Sequence, residues 1–151
     1  PRPSFAEVDL AVLLDHVHAL MAPARASDGV ALEVQVTGAN LTARADPQQI
    51  EQVLINLLRN AAEALGGREQ GRVVLRGARD DHGKALIQVI DNGPGIDAAH
   101  LDDIFLPFFT TKRSGSGVGL SVSRQIMALN KGMLTVKTAP GNGSEFTLRF
   151  R

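Results

Sequence analysis

The sequence predicts a two-layer α/β sandwich, with a mixed sheet and three sizeable helices on one face. Three observations carry that class. Apolar residues recur at helical spacing in three separate stretches, segments of strand-like alternation lie between and after them, and glycine- or proline-rich turns punctuate the periods. The 151 residues suit one domain around one core, spanning residues 1–151.

In chain order, Leu10, Leu13, Leu14, Val17 and Leu20 mark a first helix, and residues 30–37 then alternate with Leu32, Val34 and Val36 on one face. Residues 41–45 read as a short strand paired beside that one. The helix over 47–65 is the most sharply bounded. Asp46 serves as N-cap, Pro47 fits the first helical position, Gln49 completes a capping box, and Gly66-Gly67 is the stop. Its stripe of Ile50, Val53, Leu54, Leu57, Leu58, Ala61 and Leu65 faces a core. Residues 72–80 and 84–91, joined by Asp81-His82-Gly83, predict a β-hairpin. From Asn92 to Gly117 periodicity lapses into a long functional loop containing an acidic, helix-like piece over 97–104. A helix resumes over 118–129, and strands over 133–138 and 144–150, joined by Pro140-Gly141-Asn142-Gly143, end the chain.

Composition narrows the function classes. Sixteen basic residues balance sixteen acidic ones, so there is no electrostatic case for nucleic acid, and any polyanion must be gripped locally. Without cysteine there are no disulfides, thiolate metal sites or cysteine nucleophiles, which fits a reducing compartment. No apolar run approaches the ~20 residues of a membrane span, and the opening Pro1-Arg2-Pro3 reads as part of something longer.

Four segments carry chemistry. On the 47–65 helix Asn56 and Asn60 lie four apart, away from the apolar stripe; amide groups can ligate Mg²⁺ or bond a phosphate, although solvated helix faces show the same spacing. Asp91 shares strand parity with Ile87 and Val89, so its carboxylate is expected at the edge of an apolar pocket, where it needs a donor. In the Asn92-Gly93-Pro94-Gly95-Ile96 segment that follows, bare backbone can admit a flat ligand under Ile96, or simply make a tight turn.

Gly115-Ser116-Gly117-Val118-Gly119-Leu120 leads into a helix whose N-terminus suits phosphates, without being a Walker or dinucleotide motif. Between the glycine segments, Phe105-Leu106-Pro107-Phe108-Phe109-Thr110-Thr111-Lys112 combines aromatic anchors with two hydroxyls and a cation. Ser144 has the parity of Phe146, Leu148 and Phe150 and points inward, either into the pocket of Asp91 or as a satisfied core serine. His16, His18, His82 and His100 form no metal-ligand or triad spacing and read as structural or solvated.

In their order these segments resemble the catalytic domain of sensor histidine kinases, within the superfamily that includes gyrase and a heat-shock chaperone. IEQVLINLLRNAAEAL (50–65) is similar to the N box, DNGPGI (91–96) to the first glycine box, FLPFFTTK (105–112) to the phenylalanine box and GSGVGL (115–120) to the second glycine box. The phenylalanine box looks most like the nitrogen-regulation type. The resemblance implies a Bergerat ATP-binding fold with a mostly antiparallel five-stranded sheet. It also implies that Asp91 receives the adenine amine with support from Ser144, and that Asn60 ligates Mg²⁺ with Asn56 assisting at the phosphates. Gly93, Gly95 and Ile96 would shape the adenine site. Gly115, Ser116, Gly117, Val118, Gly119 and Leu120 would serve the triphosphate and lid hinge, with Phe109, Thr110, Thr111 and Lys112 as lid contacts.

Three departures refine that implication. Where ATP-hydrolysing relatives carry a glutamate this chain has Asn56, which favours transfer over hydrolysis. The usual histidine-glycine pair reads Asn130-Lys131-Gly132 and is taken as neutral. No acceptor-histidine box is present, so the implied partners are a dimerisation and phosphoacceptor helical domain elsewhere in a homodimeric, cytoplasmic or membrane-anchored kinase, and a response regulator downstream. The alternatives are a nucleotide-binding module without transfer, or an anti-sigma-type serine kinase.

Overall fold

The computed structural model describes residues 2–107 and 119–151. Its elements are β1 (Ala6–Asp9), α1 (Leu10–Ser27), β2 (Ala31–Val36), β3 (Thr42–Ala45), α2 (Pro47–Ala64), β4 (Arg72–Arg79), β5 (Ala85–Asp91), a 3-10 turn (Ala98–His100), α3 (Gly119–Leu129), β6 (Met133–Thr138) and β7 (Ser144–Arg149). Five strands form one sheet in the order β2-β4-β5-β7-β6, parallel between β2 and β4 and antiparallel elsewhere. Alternation then divides the two faces. Val73, Leu75, Ile87, Val89, Phe146, Leu148 and Leu134 join the buried stripes of α1, α2 and α3 in a single apolar cluster. On the opposite face Arg76, Gln88 and Thr147 make a polar row across three strands, linked by Arg76 Nη1 to Gln88 Oε1 at 2.6 Å and Gln88 Nε2 to Thr147 Oγ1 at 3.2 Å.

The start of α2 is fixed by a junction that reaches well beyond the helix. Asp46 caps it, accepting from the amides of Gln48 at 3.0 Å and Gln49 at 3.2 Å, while its second oxygen accepts from Ser4 N–H at 2.9 Å. The amide of Asp46 itself donates to Asn130 Oδ1 at 2.8 Å, and Asn130 Nδ2 donates to Gln49 Oε1 and to the Ile126 carbonyl, each at 2.8 Å. The expected capping box is therefore modified. Gln49 reaches the cap through Asn130, a residue 1% exposed at the end of α3.

Three other expectations are corrected. Residues 41–45 do not pair with β2; β3 pairs antiparallel with β1, a strand the sequence did not disclose. Arg79 Nη2 holds the carbonyls of Ala39 and Asn40 at 2.9 and 3.0 Å, so the chain is bent away from the β2 edge before β3 begins. The first helix continues past Leu20 and through Pro23 to Ser27, and Leu20 is 51% exposed while Met21 takes the inward position. The acidic piece is no α-helix. Asp97 caps Ala99 at 2.9 Å, and the following backbone bonds, His100 to Asp97 and Asp103 to His100, close three residues back.

Asp46 lies below the ordinary aspartate range, chiefly because Ser4 N–H stabilises its carboxylate; burial opposes this, and the Gln49 and Gln48 amides add to it. A depressed folded-state value means the contribution to stability is full above about pH 5 and is lost as pH falls through the lowered value. In urea denaturation, Asp46→Asn should keep a capping oxygen yet flatten that acid limb between about pH 5 and 2. Asn130→Ala should cost about 3 kcal/mol at pH 7, because it strands the buried amide of Asp46.

Candidate functional site

The site begins where β5 ends. Its alternation sends Ile87, Val89 and Asp91 to the helix-covered face, leaving residue Asp91 6% exposed, with Gly93 N–H donating to its Oδ1 at 2.9 Å. Directly opposite on β7 is Ser144, also buried, and opposite Ser144 on β6 is Thr138. Three polar residues thus cross the sheet in one row, at the rim of an otherwise apolar face.

Two glycine turns interlock over this row. Gly95 has φ +77° and a Cβ there would lie 2.2 Å from the Ala139 carbonyl oxygen. Gly143 has φ +76° and its Cβ would lie 2.0 Å from the Asp91 carbonyl oxygen. The amide of Gly141 donates to the Pro94 carbonyl at 2.6 Å, and Ile96 N–H donates to Thr138 Oγ1 at 2.9 Å. Gly93 faces the carboxylate directly, with its Cβ position 2.9 Å from Asp91 Oδ1, and Ile96 packs half-buried against the core. Bare backbone therefore stands where a side chain would fill the space beside Asp91.

The helix pair supplies the other end. Asn56 and Asn60 are half-buried on α2, and Asn56 Nδ2 donates to Ser123 Oγ of α3 at 3.3 Å, where Ser123 is wholly buried. Gly119 opens α3, and Leu120 packs partly buried against the core. Phe109, Thr110, Thr111, Lys112, Gly115, Ser116, Gly117 and Val118 lie outside the described residues. Among the described residues no three His, Asp or Glu side chains gather into a metal site.

Asp91, Gly93, Gly95, Ile96 and Ser144 are brought together, with Asn56 set against α3. Thr138 and Gly143 were not singled out from the sequence, although counting outward from the Pro140-Gly141-Asn142-Gly143 turn pairs Thr138 with Ser144. Asn130, read as neutral, is the buried clamp described above. His16 pairs with Glu51 at 2.5 Å and His18 Nε2 meets the Leu32 carbonyl at 3.0 Å, both in structural roles. A cavity of about 380 Å³ lies elsewhere, among Val8, Val12, Leu13 and Pro47 with Glu7, Asp9 and Glu51 at its edge, and contains none of the predicted site residues.

Comparison with known proteins adds independent findings. Residues 45–151 match the family described as histidine kinase-, DNA gyrase B- and HSP90-like ATPase. The sensor histidine kinase ZraS of Escherichia coli (strain K12) is 38% identical over 141 residues, covering 93% of this chain and 30% of that protein. The chain therefore spans under a third of the length of that curated relative. The nucleotide-free catalytic domain of histidine kinase ThkA superposes with a TM-score of 0.84 at 32% identity, over 97% of this chain and 95% of that one. ThkA in complex with response regulator protein TrrA gives 0.81 at 30% identity, over 98% and 42%. Full-length ShkA in complex with AMPPNP gives 0.85 at 31% identity, over 97% and 31%. No helix among the described residues is long and apolar enough to cross a membrane.

Glycines within one turn separate strain from collision. Gly141, with φ +82° and nothing within 4 Å of its Cβ position, should cost about 1 kcal/mol as alanine. Gly143→Ala and Gly95→Ala, which drive a methyl into backbone, should each cost more than about 3 kcal/mol by urea unfolding. Equal costs at 141 and 143 would contradict the interlocked geometry.

Proposed function

The chain belongs to the histidine kinase-, DNA gyrase B- and HSP90-like ATPase family, and we propose that it is the catalytic part of a sensor histidine kinase, binding Mg-ATP and donating the γ-phosphate to a histidine on a separate helical domain. The observation that carries this reading is the buried Asp91 carboxylate, standing in a row with two hydroxyls under side-chain-free backbone. Besides the Gly93 N–H at its Oδ1, a carboxylate placed there has further acceptor capacity that suits the exocyclic amine of a flat ligand.

In this reading Asp91 accepts the adenine amine, Ser144 supports that contact, and Gly93, Gly95 and Ile96 wall the ring. Asn60 provides an amide oxygen for Mg²⁺, which would neutralise charge on the phosphates, and Asn56 assists beside it. Phe109, Thr110, Thr111 and Lys112 belong to a lid, and Gly115, Ser116, Gly117, Val118, Gly119 and Leu120 to the triphosphate loop and its hinge. The chain's own part is positioning and electrostatic stabilisation, with Asn56 where hydrolysing relatives place a general base. The acceptor histidine lies on a dimerisation domain of the full-length homodimer, a response regulator follows it, and the domain works in the cytoplasm. The sequence likeness to ZraS and the fold of ShkA bound to AMPPNP support this reading.

Calorimetric titration with ADP and ATP, with and without Mg²⁺, is the deciding test. Binding at micromolar to sub-millimolar nucleotide is expected; none at millimolar concentration would sink the proposal. Asp91→Asn should weaken ADP at least about hundredfold, since it loses a charge-assisted bond and leaves an amide donor facing an amine. Asn60→Ala should instead retain ADP binding and abolish its magnesium dependence. Mixing the chain with the helical domain of its full-length protein should yield acid-labile phosphate from ATP.

A further inference from the structure

The hydrogen bonds of Thr138 determine where the protons lie in the row Asp91–Ser144–Thr138. Its Oγ1 stands 2.8 Å from the Gly143 carbonyl oxygen, 2.9 Å from the Ile96 amide nitrogen and 3.1 Å from Ser144 Oγ. A carbonyl oxygen has no proton to give, so the single hydroxyl proton of Thr138 goes to Gly143. One lone pair of Oγ1 receives Ile96 N–H. The contact with Ser144 can then be a hydrogen bond only if Ser144 donates.

That assignment leaves Ser144 with lone pairs alone for any further partner. Its cross-strand neighbour Asp91 is a carboxylate and also accepts. Both side chains are buried, at 8% and 6% exposure, so water does not readily compensate a mismatched partner. A ligand edge meeting this pair must bring donors: the 6-amino group of a purine carries two N–H on one nitrogen, whereas a 6-oxopurine offers a single N1–H and sets its 6-oxo group as a third acceptor against two.

We propose that Thr138 is a specificity-determining residue, which holds Ser144 as an obligate acceptor beside Asp91 and so makes the site select a 6-aminopurine nucleotide over a 6-oxopurine one. It acts through Ser144 and is a positioning residue for the base. The inference rests on the adenine-nucleotide reading above and adds to it a cause for base choice.

ADP and IDP, which differ only at the purine 6-position and its N1 proton, are the probes, titrated against the whole chain. The wild type should prefer ADP by about a hundredfold or more. In Thr138→Val the Ser144 hydroxyl is free to turn and donate to an oxo group, so the preference should shrink about tenfold, even though both nucleotides bind more weakly once Ile96 and Gly143 lose their partner. Thr138→Ser should keep the wild-type preference. Ser144→Ala should shrink it, and adding Thr138→Val to Ser144→Ala should change it no further.

A merely structural Thr138 would weaken ADP and IDP by the same factor, and that result overturns the proposal. Should Thr138→Val fail to fold, Ser144→Ala decides alone, and an undiminished preference overturns it. A wild type that binds ADP and IDP equally defeats this inference but not the nucleotide reading. A wild type that binds neither defeats the nucleotide reading and this inference with it.

Discussion

One residue, Asp46, ties together the N-terminal segment, α2 and the end of α3. It caps α2 and receives Ser4, and its own backbone amide is gripped by Asn130 at the far end of α3. The apolar stripes of α2 and α3 give the helices a reason to pack, but burial is non-directional and resists a slide along the axis weakly. Hydrogen bonds at one end fix that axial register. The Asn56 to Ser123 contact, more than two turns further along α2, depends on the register being kept.

The opposite end of the site is held in a different way. Asp91, Ser144 and Thr138 sit on adjacent antiparallel strands, whose ladder already sets their spacing, and the turns around Gly95 and Gly143 are pressed backbone to backbone. A side chain at either glycine would collide with the facing backbone. In the proposed function this is where a base is read, and a preformed recognition edge avoids an ordering cost at binding. The molecule therefore combines a rigid sheet edge with a helix pair whose alignment hangs on a few directional bonds.

What the sequence disclosed, and what it did not, follows the range of the physics involved. The bounds of α2, the 72–91 hairpin and the inward parity of Asp91 and Ser144 depend on caps, turns and alternation within a few residues, and all of them match the structure. Strand β1 has four residues and a single buried one, Val8, so it offers no period to detect. Its partner β3 lies more than thirty residues further along the chain, beyond the reach of any local pattern. Asn130 looked neutral because its three bonds go to Asp46, Gln49 and Ile126, two of them more than eighty residues upstream. Thr138 carried a local signal in its hairpin count, but the value of its hydroxyl lies in a proton direction that only the assembled turn defines.

The placement of charge between the two ends has its own logic. The chain carries no net charge, so a triphosphate would not be drawn by the protein's overall field and must be met by local groups. Two unit charges 4 Å apart interact by about 4 kcal/mol at the effective dielectric of a protein surface. A carboxylate on the inner face of α2 would therefore repel the phosphates by an amount comparable to the worth of several hydrogen bonds. Asn56 and Asn60 place neutral amides there instead, able to donate or accept without that penalty. In the proposed function the one carboxylate of the base site, Asp91, stands at the strand end, where its partner would be a neutral amine. At position 56 an amide also has no basicity with which to activate water, so in the proposed function the same choice that lowers repulsion would leave the phosphate for another acceptor.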